Sequence, residues 1–336
     1  MNKVAVITVS GIGNFLLAVP LMEYLGRGNQ VEVFANSTNR QIAECYLDRF
    51  ISAVLPEPAG LSAWYRALRG QCYERVFYCF PARANQILLA LYLSGIKGRY
   101  GYRIAHKKKR LDFLHPGFLP VCKIENEALL NLKLAFPGAE MSFIEANKER
   151  YLLRKNEQNE RMGRVCIHPG AGTAGGLGEL KLWPFSYWNE LIELLDNCSA
   201  VTEICVLIGP SETGAEHLLT KKAKLKFLKK DLAAVMDVLA ASRLLISNDS
   251  GMAHLGAFCD IPVFSLFGPV DPVKSHPLFN KERVFYTNLP CSPCQGFTNE
   301  VECLNIIKQE CMTSISVEQV FAEIIKILKN DEHNRS

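Results

Sequence analysis

A chain of 336 residues exceeds one ordinary domain and suits two of ~150 residues each. Hydrophobic residues make up 49% and charged residues 21%, a balance that excludes disorder, and a formal net charge of +4 is too small alone to argue for nucleic acid. No apolar run approaches the ~18–20 residues that span a bilayer, since the longest candidates break at Pro20 and Gly95.

Met1, Asn2 and Lys3 lead straight into a β-type run, Val4–Val9, without a small-residue cleavage site, so a cytoplasmic location is expected. Ser10-Gly11-Ile12-Gly13-Asn14 then opens a helical stretch from Phe15 to Leu25. Val31–Ala35 reads as strand, Arg40–Phe50 as helix, Val76–Phe80 as strand and Asn85–Leu93 as a buried helix. Strands separated by helices imply crossover units and a parallel sheet. Glu149–Arg164 is mostly charged and amide residues and reads as a linker, with the boundary near residue 157. Beyond it come strands at Val165–His168, Ile204–Ile208, Leu244–Ser247 and Val263–Phe267. Helices alternate with them at Trp188–Leu195, Leu232–Ala240 and Met252–Phe258, and an amphipathic helix, Ser316–Lys329, closes the chain. Two open parallel sheets carry ligands at the carboxyl ends of their strands.

Three strand ends carry chemistry. Asn248-Asp249-Ser250-Gly251 joins a hydrophobic strand to a helix. Asp249 or Ser250 can cap it, Gly251 lets a ligand approach the exposed N–H groups, and the helix dipole favours phosphate. His254 lies one turn in, facing the same spot. The pattern alone suits an ordinary strand–helix turn equally well. His168-Pro169-Gly170-Ala171-Gly172 exposes backbone donors after a strand, and Lys181, ahead of Leu182-Trp183-Pro184, adds a mobile cation suited to a diphosphate. The spacing fits neither a P-loop nor the dinucleotide fingerprint. Glu212, after Gly209-Pro210-Ser211, is either an acceptor for ribose hydroxyls or a solvated loop acid.

These segments, with Gly98-Arg99-Tyr100-Gly101-Tyr102-Arg103 and Phe267-Gly268-Pro269-Val270-Asp271-Pro272, resemble in order and distance the glycosyltransferase family 9 enzymes, the ADP-heptose:lipopolysaccharide heptosyltransferases. The resemblance covers nearly the whole chain. It implies an α/β GT-B fold, two Rossmann-like domains facing each other across a cleft. Residues 1–156 would bind the acceptor and residues 157–336 the nucleotide sugar, with the terminal helix a candidate to pack back on the first domain. It also implies inverting transfer of heptose from ADP-heptose to a lipopolysaccharide-core acceptor, without a catalytic metal. Lys181 would hold the donor diphosphate with the backbone at Gly170 and Ala171. Asp249, Ser250, Gly251 and His254 would form the phosphate end, Glu212 would approach the nucleoside, and Gly13 would lie near the transferred sugar. Two alternatives stand beside this reading: another nucleotide sugar or a protein or small-molecule acceptor on the same fold, and a family member that binds a nucleotide sugar without transfer.

The sequence departs from the family at one position. The acid that usually follows the first-domain glycine, as general base, is here Asn14, and an amide cannot accept the acceptor's proton near neutral pH. No other acid is close on that loop; Glu23, more than two helical turns on, is expected to be solvated or paired.

Between Arg75 and Leu111 there are nine Lys or Arg and no Asp or Glu. Arg99, Arg103, Lys107, Lys108, Lys109 and Arg110 are either a solvated face or a surface for an anionic glycolipid acceptor at the inner membrane, and no nucleic-acid motif accompanies them. Of twelve cysteines, Cys291, Cys294, Cys303 and Cys311 fall within 21 residues. The first pair has knuckle spacing, and four thiolates could close a structural zinc or iron site; the other reading is four thiols in a loop.

Overall fold

The structure, a computed structural model, describes residues 1–81, 84–104, 111–154, 163–172, 178–210, 212, 217–229, 231–294 and 302–330. It divides into two compact units, Met1–Leu153 and Arg154–Ser336.

The first unit runs β1 (Asn2–Thr8), α1 (Ile12–Leu16), α2 (Val19–Gly26), β2 (Asn29–Ala35), α3 (Ser37–Glu44), β3 (Ala53–Pro56), α4 (Leu61–Arg69), β4 (Arg75–Tyr78), α5 (Asn85–Leu93), β5 (Gly98–Tyr100), β6 (Tyr102–Ile104), β7 (Leu119–Val121), α6 (Glu127–Lys133), α7 (Met141–Ala146) and α8 (Lys148–Tyr151). Its main sheet is parallel, in the order β3-β2-β1-β4-β5, with Val4 paired to Val31 on one side and Arg75 on the other. Val4, Ala5, Val6 and Ile7 are wholly buried, which is why β1 reads as a continuous apolar run: helices cover both faces of a parallel sheet.

The helix after β1 starts at Ile12, so Gly13 and Asn14 sit in its first turn rather than in a preceding loop. It ends after one turn because Pro20 lies at the start of α2, and a proline nitrogen cannot donate back into a helix. Against this junction α6 is pinned by Asn131, whose amide accepts from Phe80 N (2.9 Å) and donates to Leu17 O (3.4 Å).

The second unit runs β8 (Arg164–His168), α9 (Phe185–Asp196), β9 (Glu203–Leu207), β10 (Leu225–Leu228), α10 (Leu232–Ala240), β11 (Leu244–Asn248), α11 (Gly251–Phe258), β12 (Val263–Phe267), α12 (Pro272–Ser275), β13 (Val284–Tyr286), α13 (Glu310–Thr313) and α14 (Val317–Asn330). Its parallel sheet has the order β10-β9-β8-β11-β12-β13, the doubly wound arrangement whose strand order reverses between β8 and β11. The terminal helix α14 lays Val317, Val320, Ile324 and Leu328 into this unit's own core beside Trp188, Leu191 and Leu195 of α9, and Arg243 donates to Ile327 O at 2.9 Å.

Candidate functional site

At the reversal point of the second unit, the ends of β8 and β11 bring His168, Asn248, Asp249 and Ser250 together. Asn248 is wholly buried and ties three segments: its amide donates to Pro169 O (2.7 Å) and Gly170 O (3.3 Å), while Oδ1 accepts from Trp183 N (3.2 Å). It thereby fixes the Gly170 loop and the segment carrying Lys181 to one strand end. Trp183 is anchored in turn by its indole N–H on Ile315 O at 2.9 Å. Sequence reasoning quoted Asn248 within its motif without giving it this work.

Lys181 Nζ stands 2.7 Å from Asp249 Oδ2, with side-chain exposures of 17% and 8%. The contact is an ion pair by distance but lies off hydrogen-bonding geometry, so Oδ2 has no hydrogen-bond partner among the described residues. Ser250 caps α11, its hydroxyl accepting from Met252 N at 3.2 Å. His254 is buried, and its Nδ1 also lacks a partner among the described residues. Burial pushes this imidazole down to about pKa 4; Asp249 opposes the shift, while His276 and Lys181 add to it. His254 is therefore neutral at physiological pH, a polar contact rather than a second cation.

Glu212 is held by its own neighbourhood. Its Oε2 accepts from Gly209 N (2.8 Å) and lies 3.1 Å from His168 Nε2, while Oε1 accepts from Gly172 N at 3.4 Å. Burial works against the charge, yet His168 and the two backbone donors hold this carboxyl at about pKa 2. His168 Nδ1 lies 3.1 Å from Ser250 Oγ, so one chain of hydrogen bonds joins Glu212 to the cap of α11. The same closeness explains Gly170, where a Cβ would sit 1.8 Å from Glu212 Oε1.

In the first unit, Asn14 Nδ2 donates to Glu127 Oε2 at 2.7 Å, across 113 residues of sequence. Glu127 is 2% exposed. Sequence reasoning missed it, because nothing in spacing connects the first turn of α1 to α6. Glu23 is wholly buried and paired with Arg27 and Arg150. Arg99 donates to Ile96 O (2.7 Å) and Leu114 O (3.4 Å), while Arg103 is exposed on β6. Lys107, Lys108, Lys109 and Arg110 lie outside the described residues. An open hollow of about 590 Å³ at the carboxyl ends of β2 and β3 offers Arg40 and Glu57, the latter raised in pKa by burial.

All twelve cysteines are thiols. Cys291 and Cys294 are exposed, Cys303 is half-buried and Cys311 is buried; burial first, then the neighbouring Cys294, Cys291 and Cys303, push the Cys311 thiol up to about 11. The four are thus neighbours, although among the described residues no three His, Cys, Asp or Glu converge as a ligand set. No helix of the described residues is long and apolar enough to cross a membrane.

The sequence profile of glycosyltransferase family 9 (heptosyltransferase) matches residues 99–305. Lipopolysaccharide heptosyltransferase 1 of Pseudomonas aeruginosa is 28% identical over 160 residues, 44% of this chain and 44% of that protein. Lipooligosaccharide heptosyltransferase 2 of Campylobacter jejuni is 25% identical over 219 residues, 62% of each. The chain thus aligns with less than two thirds of either relative. The solved structure of Escherichia coli ADP-heptose lipopolysaccharide heptosyltransferase II superposes with a TM-score of 0.71 at 18% identity, covering 98% of this chain and 99% of that one.

Proposed function

Because this chain belongs to glycosyltransferase family 9 and has the α/β GT-B fold, we propose that it transfers heptose from ADP-heptose to a lipopolysaccharide-core acceptor, with inversion at the anomeric carbon. The observation that carries the reading is the cluster at the start of α11. There the Lys181 ammonium, ion-paired to Asp249, the His254 Nδ1 that has no partner among the described residues, and the N–H groups following Ser250 gather at the sheet's reversal point. As the sugar–phosphate bond breaks, negative charge grows on the departing diphosphate, and a cation with fixed backbone donors stabilises it. Neutral His254 adds a hydrogen bond without competing for that anion. Glu212 acts chiefly as a scaffold, holding the Gly170 loop through His168 and the backbone.

The acceptor falls to the first unit, where Arg103, exposed on β6, and a sequence rich in Lys and Arg from 75 to 111 suit the phosphates and carboxylates of lipid A and inner-core sugars at the inner-membrane surface. A non-catalytic binder of nucleotide sugars is the second reading, favoured by Asn14 in place of the family's acid. The four neighbouring cysteines are the candidates for a structural zinc or iron, which would favour the thiolate forms that burial first, and then the neighbouring cysteines, disfavour at Cys311; no step of transfer runs through it. Thermal denaturation with ADP-heptose, ADP and UDP-glucose tests the donor site. ADP-heptose at 100 times its dissociation constant should stabilise the fold by ~2.7 kcal/mol, and no shift with either adenosine ligand removes the reading.

A further inference from the structure

We propose that Glu127 is the general base of transfer, the carboxylate that position 14 lacks being supplied from α6, and that Asn14 keeps it oriented until the acceptor arrives. The inference rests on the transferase reading above. A carboxylate can only accept, so the 2.7 Å contact fixes the Asn14 amide with its NH₂ toward Glu127. Asn14 Oδ1 consequently lies on the side of the exposed Gly11, where a Cβ would stand 3.8 Å from it. Glu127 is 2% exposed and Asn14 is partly exposed, so an incoming hydroxyl meets the amide first and the carboxylate behind it.

The helix that carries Glu127 is anchored on either side of it. Asn131, one helical turn beyond Glu127 and therefore on the same face, is bonded to Phe80 N and Leu17 O, and Asn126 caps the helix by accepting from Ala128 N at 2.9 Å. A carboxylate fixed within hydrogen-bonding distance of the amide at position 14 can serve a hydroxyl bound there with a small side-chain adjustment.

In the step itself the acceptor hydroxyl displaces the Asn14 N–H from Glu127 Oε2. Its oxygen attacks the anomeric carbon of the donor as its proton passes to Oε2. The bond from that carbon to the diphosphate oxygen breaks, and the electron pair leaves with the nucleoside diphosphate. Asn14, released from the carboxylate, hydrogen-bonds the acceptor through the same amide.

The test moves the carboxylate. Full-length wild type, Glu127→Gln, Asn14→Asp and the double variant Asn14→Asp/Glu127→Gln are assayed with ADP-heptose and lipid A carrying inner-core sugars, across pH, with ADP-heptose thermal shifts as the check on folding and donor binding. Glu127→Gln should keep the thermal shift, lose ~10²–10⁴-fold in turnover and lose the acid limb of the pH profile. The double variant, with its carboxylate at position 14, should recover to within tenfold of wild type. In Asn14→Asp alone two carboxylates meet at hydrogen-bonding distance, and the acid limb should move to higher pH. Glu127→Gln turning over within threefold of wild type, or a folded double variant that stays inactive, overturns Glu127 as base while leaving the transferase reading intact. A wild type that binds ADP-heptose but transfers to no acceptor overturns both.

Discussion

Replacing His254 with Gln gives a thermodynamic test of the site in the absence of any substrate. The buried imidazole titrates at about pKa 4, against ~6.5 in an unfolded chain. A depressed folded-state pKa means that its contribution is complete above ~pH 6.5 and disappears as pH falls toward 4, because only the unfolded chain takes up the proton. Linkage over that interval gives a loss of about 2 kcal/mol at pH 5 and about 3 kcal/mol at pH 4. For a unit of this size each kcal/mol moves Tm by ~2–4 °C, so His254 alone should lower Tm by about 4–8 °C between pH 7 and pH 5. His276, also lowered by burial, adds a loss of the same sign in both proteins. Scanning calorimetry at pH 7, 6 and 5 on wild type and His254→Gln measures the difference. The variant should have a lower Tm at pH 7 but a Tm drop smaller than wild type by about 4–8 °C. Equal drops would refute a buried neutral histidine and, with it, the reasoning that leaves Lys181 as the cation of the cluster.

Lys181→Ala should weaken ADP-heptose binding about 10- to 150-fold by calorimetric titration, the worth of one charged hydrogen bond, and should leave Asp249 without its counter-ion. Asn248→Ala strands Trp183 N, Pro169 O and Gly170 O, so urea unfolding should show a loss of about 2–3 kcal/mol together with weaker donor binding. Elemental analysis of protein purified without a polyhistidine tag or chelator decides between a metal site and four thiols at Cys291, Cys294, Cys303 and Cys311: about one equivalent of zinc or iron that Cys311→Ser removes would establish the site. Less than a tenth of an equivalent in wild type would reject that site.

The limits of α5, α10 and β12 are the same in sequence and structure because each is a compact apolar run with clear punctuation. Edge strands were not legible: β3, β10 and β13 are only half-buried and short, so they present neither a continuous run nor a strict alternation. The sequence pattern starts the helix only at Phe15 because Gly13 and Asn14 are poor helix formers; the first turn forms with Gly11 at the N-cap and Phe15 N donating to Gly11 O at 3.1 Å. Of the candidate site, the motifs at the ends of β8 and β11 come together because those strands pair directly. Which groups bond there was not readable. Glu212, readable in sequence either as an acceptor for ribose hydroxyls or as a solvated loop acid, is engaged by His168 and two backbone N–H groups, a consequence of three-dimensional closure between loops 40 residues apart. The pairing of Asn14 with Glu127 lies deeper still, across 113 residues and without any periodic signal.

The central claim is that the chain moves a heptosyl group, and transfer itself tests it most directly. Wild-type protein is incubated with ADP-heptose and lipid A carrying inner-core sugars, while ADP release and the acceptor's mass are followed together. The account predicts one heptose gained per acceptor for each ADP released, with neither product when acceptor is omitted. A wild type that is stabilised by ADP-heptose yet leaves the acceptor unchanged, while Asn14→Asp transfers, would contradict it and identify the natural protein as a binding module on an enzyme scaffold.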